Sequence, residues 1–166
     1  MKHFYYQENW LEIVKEQEEL LRYNTFTRSM ALELGLGILK LAEETYQKPL
    51  AVQIVEDTTI IFAHKMAGTS SENDWWMNRK LAVSHITGRS SLYSCVETEM
   101  GHPAPQWQER PDNYAVCGGC IPVFPVDGST PWAYVLVSGM KHFEDHQVIA
   151  DAMALQLNKK IGTVAK

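Results

Sequence analysis

Two short stretches in the second half of the chain decide its fold: CGGCIPV at residues 117–123 and WAYVLVSG at residues 132–139. Both contain β-branched residues, the second also contains Trp132 and Tyr134, and the turn signal Val126-Asp127-Gly128-Ser129 lies between them. This pattern predicts two antiparallel strands joined by a turn. Gly118 and Gly119 carry no Cβ, so a ligand or a neighbouring backbone can approach them closely. We therefore expect the centre of a sheet here, with a small concavity at its glycine end.

Length and composition are those of one ordinary globular domain. The chain has 166 residues, of which 45% are hydrophobic and 21% charged, so it is long enough to bury a sizeable core. The formal net charge is −5, and no block of consecutive basic residues occurs. These features argue against a general nucleic-acid-binding protein, and we expect no nucleic-acid partner.

The sequence also points to a compartment. No stretch approaches the roughly 18 consecutive apolar residues of a membrane span, and residues 1–8 lack the apolar segment of a signal peptide. With only three cysteines, the chain has no disulfide framework. We therefore expect a cytoplasmic protein in a reducing environment, without a membrane partner.

Helical periodicity indicates two helices before the first strands. Asn9 followed by Glu12 is the pattern of a capping box, and the apolar spacing after it continues to about Tyr23. A second apolar stripe begins at Thr27. The N-terminal helices together are predicted to span residues 9–46.

A second strand pair and a long helix follow. Residues 50–55 and 59–64 are predicted to form an antiparallel hairpin. The long helix begins near residue 74 and ends near residue 99, and Gly88 is a candidate break within it. Residues 101–113 contain three prolines and are predicted to be an irregular surface loop.

The last predicted helix covers residues 143–161, with acidic residues in its first turn and Gly162 as its C-cap. It follows the sheet and long helix of residues 50–139. This order of elements predicts a single α/β (α+β) domain over residues 1–166. Its antiparallel or mixed sheet has helices on both faces, because each apolar face of the sheet has to be covered.

Two polar residues fall within the apolar stripe of the long helix. His85 and Arg89 are four residues apart, a spacing that places their side chains next to each other. A buried arginine needs a partner, because an unpaired buried charge costs several kcal/mol. Three interpretations stay open: a structural pair, an anion site with His85 as proton donor or ligand, and a break at Gly88 that turns both residues outward. Lys80 falls on the opposite, polar side of the same helix.

The Cys117-Gly118-Gly119-Cys120 segment matches the CxxC pattern of redox and metal sites. A redox-active cysteine of this kind lies at a helix N-terminus, whereas the strand-like Ile121-Pro122 follows here. Zinc needs two further ligands, and no other cysteine or histidine shows a partner spacing. Small-residue packing is the favoured interpretation, a redox-sensitive pair and a metal site are the alternatives, and we predict no metal.

A third group of polar residues follows the Ser138-Gly139 turn at the start of the last helix. His142, Asp145 and His146 cluster there. Asp145 suits the positive end of the helix dipole. The alternative is an anion site, because a helix N-terminus beside a turn is suited to bind one.

Several residues also occur in a family-specific order along the chain. They are Trp76-Met77, Arg79-Lys80, His85, Gly88, Ser90-Ser91, Gly118-Gly119, Pro122, Val137-Ser138-Gly139 and Glu144-Asp145-His146. This order resembles the haem-degrading-domain family over nearly the whole chain. Within the family, the resemblance is to a small, single-domain, cytoplasmic subgroup.

The resemblance implies a profilin-like fold, a three-layer α/β/α sandwich whose antiparallel sheet has about five strands. It also implies a homo-oligomer, at least a dimer. Trp75, Trp76 and Trp132 favour the same conclusion, because aromatic residues are enriched in interface cores. The family takes its name from haem-binding relatives, so haem is the cofactor that the resemblance suggests. Relatives that handle haem carry a threonine near the end of the long helix, where this chain has Ser90-Ser91.

Three functions are consistent with these residues. The favoured one is an oligomeric protein that binds a small acidic molecule, either a carboxylate or a haem-like tetrapyrrole. The alternatives are an enzyme of unassigned reaction that uses His85 and Arg89, and an interaction scaffold for chaperone-type partners, which the resemblance to the subgroup implies. No nucleophile–base pair is visible in the sequence, which favours binding over catalysis.

We predict that the ligand site lies where the two glycine turns meet the long helix. Glycines open space and leave backbone N–H groups bare, while an arginine and hydroxyl groups provide polar contacts for an acidic group. The predicted ligand-binding residues are His85, Arg89, Ser90, Ser91, Gly118, Gly119, Ser138, Gly139, His142 and His146.

Overall fold

A computed structural model describes residues 2–164 as a five-stranded sheet with helices on both faces. The helices are α1 (Trp10–Leu20), α2 (Arg28–Leu41), α3 (Ser71–Thr87), α4 (Ser91–Glu99), α5 (Pro105–Glu109) and α6 (His142–Leu157). A π-helical turn, Ala42–Tyr46, extends α2, and a 3₁₀ turn covers Pro111–Asn113. The strands are β1 (Arg22–Tyr23), β2 (Ala51–Glu56), β3 (Thr59–Lys65), β4 (Cys120–Pro125) and β5 (Ala133–Ser138).

The strands lie in the order β1-β4-β5-β2-β3. All neighbours are antiparallel except the two-residue strand β1, which pairs with β4 in parallel. Strand β5 is therefore central, and its pairing with β4 places Leu136 opposite Cys120. The predicted hairpin of residues 117–139 is confirmed as the middle of the sheet.

Alternating residues of the sheet contact different helices, which makes the fold a three-layer sandwich. Val52 and Ile54 of β2 belong to the main core, which includes buried residues of α2 and α6. Ala51 and Val55 face the other way and cluster with Met77 of α3. The predicted α/β/α arrangement is confirmed, because successive side chains of the strand point to opposite faces of the sheet and both faces are covered by helices.

The candidate break in the long helix is confirmed. Gly88 has φ +69°, a left-handed conformation that ends α3, and Ser90 then caps α4 by accepting a hydrogen bond from the Tyr93 N–H group. The break turns α4 toward α1, and Val14 of α1 and Val96 of α4 belong to one buried cluster.

Some element boundaries differ from the predictions. Asn9 has helical backbone angles and makes no capping hydrogen bond, so the expected capping box with Glu12 does not form. The first helix ends at Leu20, because the next residues are drawn into the sheet as β1. The last helix ends earlier than predicted as well: Asn158 takes the left-handed position that was assigned to Gly162.

The segment 101–113 was predicted to be irregular, and this was wrong. It contains α5 and the 3₁₀ turn, both of which begin at a proline, a residue whose fixed φ suits a first helical position. Trp107 anchors the segment: its side chain is fully buried, and its ring N–H donates to the Thr98 hydroxyl at 3.1 Å.

Candidate functional site

A cavity of about 390 Å³ lies where the ends of β4 and β5 meet α3 and the start of α6. Its walls come from α3, from the segments before β4 and after β5, from the start of α6 and from the N-terminal residues that precede α1. The lining residues are Lys2, Phe4, Glu72, Asn73, Trp76, Lys80, Cys117, Ser138, Gly139, Met140, His142 and Asp145.

An ion pair lies at the base of this cavity. Lys80 and Asp145 are each only 2% exposed, and Lys80 Nζ lies 3.1 Å from Asp145 Oδ2. The same ammonium donates to the Val137 carbonyl at 2.9 Å. A lysine ammonium has three N–H donors, and these two bonds use two of them. One donor of this buried cation therefore has no acceptor among residues 2–164, and Lys80 is one of the residues that line the cavity.

Gly119 makes room for this ammonium. A Cβ at position 119 would lie 2.5 Å from Lys80 Nζ and 2.5 Å from the Val137 carbonyl oxygen, and Gly119 has φ +128°. Both the space and the backbone angle therefore require glycine. Gly118 is crowded in the same way, because its Cβ would lie 2.4 Å from the His142 carbonyl oxygen.

The carboxylate of Asp145 is held by the turn that follows β5. Its Oδ1 accepts a hydrogen bond from the Met140 N–H group at 2.9 Å, and the Gly139 N–H group donates to the carboxylate as well. Burial raises the pKa of Asp145 to about 6, although the nearby Lys80 ammonium acts to lower it. The turn's backbone donors, which the sequence suggested for a ligand, thus bind a carboxylate of the chain itself.

His142 bridges the glycine turn and the N-terminal segment. Its Nδ1 accepts from the Gly118 N–H group at 3.0 Å, so its Nε2 carries the proton and donates to the Tyr5 carbonyl at 2.7 Å. Burial lowers the pKa of His142 to about 4. The imidazole is therefore neutral at pH 7, and both of its nitrogens are engaged.

His146 lies one turn further along α6 and does not line the cavity. It is fully buried, and its Nε2 donates to Gln17 Oε1 of α1 at 2.7 Å. Burial lowers its pKa to about 3, which leaves the ring neutral. Its Nδ1 has no hydrogen-bond partner among residues 2–164.

The CxxC cysteines are buried thiols. Burial raises the pKa of Cys117 to about 11 and that of Cys120 to about 12, so neither is a thiolate at neutral pH. Cys117 lines the cavity, whereas Cys120 begins β4. Across residues 2–164, no group of three or more His, Cys, Asp or Glu side chains is arranged to hold a metal ion.

Arg89 and the two serines after it form a junction between helices, away from the cavity. Both Arg89 Nε and Arg89 NH2 donate to Glu18 Oε2 of α1, at 3.1 Å and 2.7 Å, and the guanidinium lies 3.3 Å from the centroid of the Tyr93 ring. The Ser90 N–H group donates to the other carboxylate oxygen of Glu18. Ser91 accepts a hydrogen bond from the Cys120 N–H group.

His85 lies in a different place again. Its ring packs edge-on against Tyr134, with 4.8 Å between centroids, beside a cavity of about 520 Å³. That cavity is lined by Arg28, Glu56, Asp57, Thr59, His85, Thr130, Pro131, Trp132 and Tyr134. Arg89 borders neither this cavity nor the one beside Lys80. The break at Gly88 thus separates the two residues that helical spacing had placed side by side.

Five of the ten predicted site residues gather at the Lys80 cavity. Ser138, Gly139 and His142 line it, while Gly118 donates a hydrogen bond to His142 and Gly119 leaves the space that Lys80 occupies. The other predicted residues are His85, Arg89, Ser90, Ser91 and His146.

Sequence reasoning missed Lys80, which it placed on the polar side of the long helix. The buried residues of α3 are Met77, Lys80, Val83 and Ser84, a stripe different from the one to which His85 and Arg89 were assigned. A signal was present, because Lys80 is three residues from Met77 and four from Ser84. An acidic residue 65 positions later in the chain completes the pair, and helical periodicity contains no information about such a partner.

Comparisons with known proteins agree on one family. Residues 26–154 match the family described as haem degrading protein HbpS-like. A UPF0303 protein of Rhizobium rhizogenes is 32% identical, over 87% of this chain and 89% of its own length. The UPF0303 protein YBR137W of Saccharomyces cerevisiae is 27% identical, over 91% of this chain and 86% of its own length.

Solved structures show the same fold. The crystal structure of the Ybr137w protein superposes with a TM-score of 0.77 at 27% identity, covering 89% of this chain and 87% of that one. The crystal structure of a PduOC:heme complex gives a TM-score of 0.65 at 16% identity, covering 84% of this chain and 98% of that one.

None of the helices formed by residues 2–164 is long and apolar enough to cross a membrane.

Proposed function

We propose that this chain, which belongs to the haem degrading protein HbpS-like family, binds a small acidic molecule in the cavity beside Lys80. The observation that carries the proposal is the third N–H donor of the buried Lys80 ammonium. Its other two donors are bound to Val137 and Asp145, and the side chain lies at the cavity wall. A carboxylate is the group that best satisfies such a donor, because hydrogen bonds between charged partners are the strong ones.

Neutral groups beside Lys80 favour the same ligand. Asn73 Nδ2 donates to Ser138 Oγ at 3.1 Å, so the hydroxyl hydrogen of Ser138 is available to a second acceptor. Asp145 is already surrounded by Lys80 and two backbone N–H groups, which offset its charge. An incoming carboxylate would therefore face donors beside Lys80, whereas Glu72, the other acidic residue of the lining, is an exposed residue in the first turn of α3.

Haem has to be tested against these residues, because the family takes its name from it. Haem needs a side-chain ligand for its iron and donors for its propionates. The imidazole at the Lys80 cavity is that of His142, whose two nitrogens are both hydrogen-bonded. The Cys117 thiol there is protonated at neutral pH. This cavity therefore offers donors to a propionate but no free imidazole or thiolate to iron, and the other side chain of its lining that can bind iron is the thioether of Met140.

The cavity beside His85 differs in two ways: it offers an imidazole to iron, and acidic residues line it. Neither His85 nitrogen is hydrogen-bonded to a described residue, so this imidazole is free to bind iron. Arg28 there is paired with Glu56 at 3.1 Å, and Asp57 adds a second negative charge, which repels propionates. Neither of these two cavities combines an imidazole that is free to bind iron with donors for a propionate, and a small carboxylate in the Lys80 cavity is the better-supported ligand.

Calorimetric titration with benzoate tests the proposal. The test variant combines Lys80→Met with Asp145→Asn, which removes the buried pair together and leaves no buried charge unpaired. We expect benzoate affinity to fall about 10- to 100-fold, the usual value of one charge-assisted hydrogen bond. Asp145→Asn alone should strengthen binding, because the Lys80 ammonium then has no competing carboxylate.

Lys48→Met is the matched control, since Lys48 is an exposed lysine that pairs with Glu144 at 2.8 Å. Its benzoate affinity should equal that of the unmodified protein. Circular dichroism has to show that the double variant is folded. If the folded double variant binds benzoate as well as the unmodified protein does, Lys80 is not the counter-ion and the proposal is wrong.

A further inference from the structure

We infer that the ligand carries a planar aromatic ring next to its acidic group, because an aromatic cavity continues the one beside Lys80. This inference rests on the proposed function. The second cavity has a volume of about 290 Å³. Its lining residues are Lys2, Phe4, Trp75, Trp76, Arg79, Trp107, Pro111, Tyr114, Ala115 and Val116.

The two cavities are the two ends of one groove. They share three lining residues, Lys2, Phe4 and Trp76. The Phe4 ring stands edge-on to Trp76, with 6.4 Å between centroids, and lies 5.3 Å from the His142 ring. Phe4 belongs to the segment before α1, and its N–H group donates to Glu99 Oε1 at 3.1 Å. The boundary between the two ends is therefore a ring on a short irregular segment.

The far end of the groove is aromatic and fixed. Trp75 and Trp76 lie edge-to-face, with 5.3 Å between their centroids, and the guanidinium of Arg79 lies 4.1 Å from the centre of the Trp75 ring. Arg79 also donates to the carbonyls of Asp112 and Tyr114, which ties α3 to the segment after α5. Rings held in this way offer faces and edges to a planar ligand ring.

Charge selects between classes of aromatic ligand. Among the described residues 2–164, the charged residues that line the aromatic end are Lys2 and Arg79, and no acidic residue lines it. The Lys2 ammonium lies 5.0 Å from the centre of the Trp76 ring, at the boundary with the Lys80 end. A cationic aromatic molecule would meet only like charges here, whereas an aromatic carboxylate would have Lys2 beside it and Lys80 beyond. Volumes of this size suit a ligand of one or two fused rings.

Three probes distinguish the contribution of the ligand's aromatic ring to affinity from that of its acidic group: 2-naphthoate, cyclohexanecarboxylate and 2-naphthalenemethanol. We expect calorimetry to show 2-naphthoate binding about tenfold tighter than cyclohexanecarboxylate, because aromatic contacts add to the burial of area. Trp76→Leu should weaken 2-naphthoate binding more than cyclohexanecarboxylate binding and so remove this advantage, although Trp76 lines both cavities. Trp132→Leu changes an exposed tryptophan of the other cavity and should alter neither affinity.

The probes also distinguish failure of this inference from failure of the proposed function. If both acids bind equally and both need Lys80, the aromatic end is not used and only this inference is overturned. If 2-naphthalenemethanol binds as tightly as 2-naphthoate, and loss of Lys80 changes neither, the groove takes neutral rings and the acidic-ligand function fails. An unchanged advantage of 2-naphthoate in folded Trp76→Leu would also overturn the inference.

Discussion

The buried side chain of Lys80 forms an ion pair and also lines the candidate ligand cavity. A buried ion pair is weak evidence of stabilisation, because removing two charges from water costs about as much as their attraction returns. What the pair with Asp145 does provide is position: the ammonium is held by two acceptors, and the glycine at 119 keeps the space around it open. A preorganised donor of this kind binds an anion without having to be ordered first.

Gly119→Ala should destabilise the protein by about 2–4 kcal/mol, since a left-handed backbone angle and two close contacts both oppose the added methyl group. Gly37→Ala is the matched control. Gly37 lies within α2 and an added Cβ would meet nothing within 4 Å, so this change should stabilise the protein by about 0.5–1 kcal/mol. Urea unfolding measures both, and equal effects of the two variants would contradict the account of position 119.

His146 should make the protein sensitive to mild acid. Its pKa is about 3 in the folded state and near 6.5 when unfolded, so the unfolded chain binds a proton first. His142, whose pKa is lowered to about 4, destabilises the folded protein in the same way as the pH falls. Asp145 acts in the opposite direction: because its pKa in the folded state is raised to about 6, its contribution to the free energy of unfolding increases as the pH falls through 6. We expect the free energy of unfolding to fall by about 2 kcal/mol between pH 7 and pH 5.

The variant His146→Gln tests whether His146 causes this pH dependence. Glutamine keeps a donor for Gln17 and cannot be protonated, so the fall from pH 7 to pH 5 should shrink to below about 1 kcal/mol. Urea titrations at the two pH values give both numbers. An undiminished fall in the variant would show that another group is responsible.

The thiols of Cys117 and Cys120 should be inert in the folded protein, because their pKa values are raised by burial. We expect no reaction with a disulfide reagent such as DTNB at pH 7.5 until urea unfolds the chain. Replacing both residues by alanine should cost about 1–2 kcal/mol, as ordinary small core changes do. Rapid modification of the native protein would instead support the redox interpretation of the CxxC pattern.

At the scale of elements, the sequence predicted what is local. Alternating apolar residues marked the strands, and Gly88 marked the break between α3 and α4, because backbone angles and side-chain periodicity depend on neighbouring residues. The partners of charged side chains were not predictable in this way. Glu18 and Arg89 are 71 positions apart, and their contact depends on how the break turns α4 against α1. The glycine turns that border the cavity could therefore be predicted from the sequence, and the buried cation beside them could not.

Glu18 joins α1 to the N-terminus of α4, so its loss should loosen that junction. Glu18→Gln leaves the guanidinium of Arg89 without its counter-charge, and we expect a loss of about 1–3 kcal/mol. Glu16→Gln, on the exposed side of α1, should change stability by less than about 0.5 kcal/mol. Thermal unfolding compares the two, and benzoate affinity should be the same in both. Equal stability of the two variants would contradict the structural role assigned to the Glu18–Arg89 pair.

At the scale of the whole molecule, the fold is shared with the relatives while the site depends on individual side chains. A fold does not determine a function, and the difference between the Lys80 and His85 cavities illustrates why. The Lys80 cavity is lined by donors for an acidic group, whereas the His85 cavity is lined by an imidazole and two acidic residues.

The surface of the molecule predicts self-association. Trp75 and Trp132 are 50% and 42% exposed, and Ile60 on the outermost strand β3 is 54% exposed. Large exposed apolar side chains of this kind mark contact surfaces. We expect sedimentation equilibrium at micromolar concentration to give at least twice the chain mass of 18.9 kDa. A single species at that chain mass would contradict this prediction.

The most direct test of the central claim is a crystal structure of the protein with benzoate. The account predicts a benzoate carboxylate within hydrogen-bond distance, about 2.7–3.2 Å, of Lys80 Nζ, and a ring directed toward Trp76. Benzoate bound instead at Arg89 or in the cavity beside His85, with the Lys80 cavity empty at saturating ligand, would contradict it.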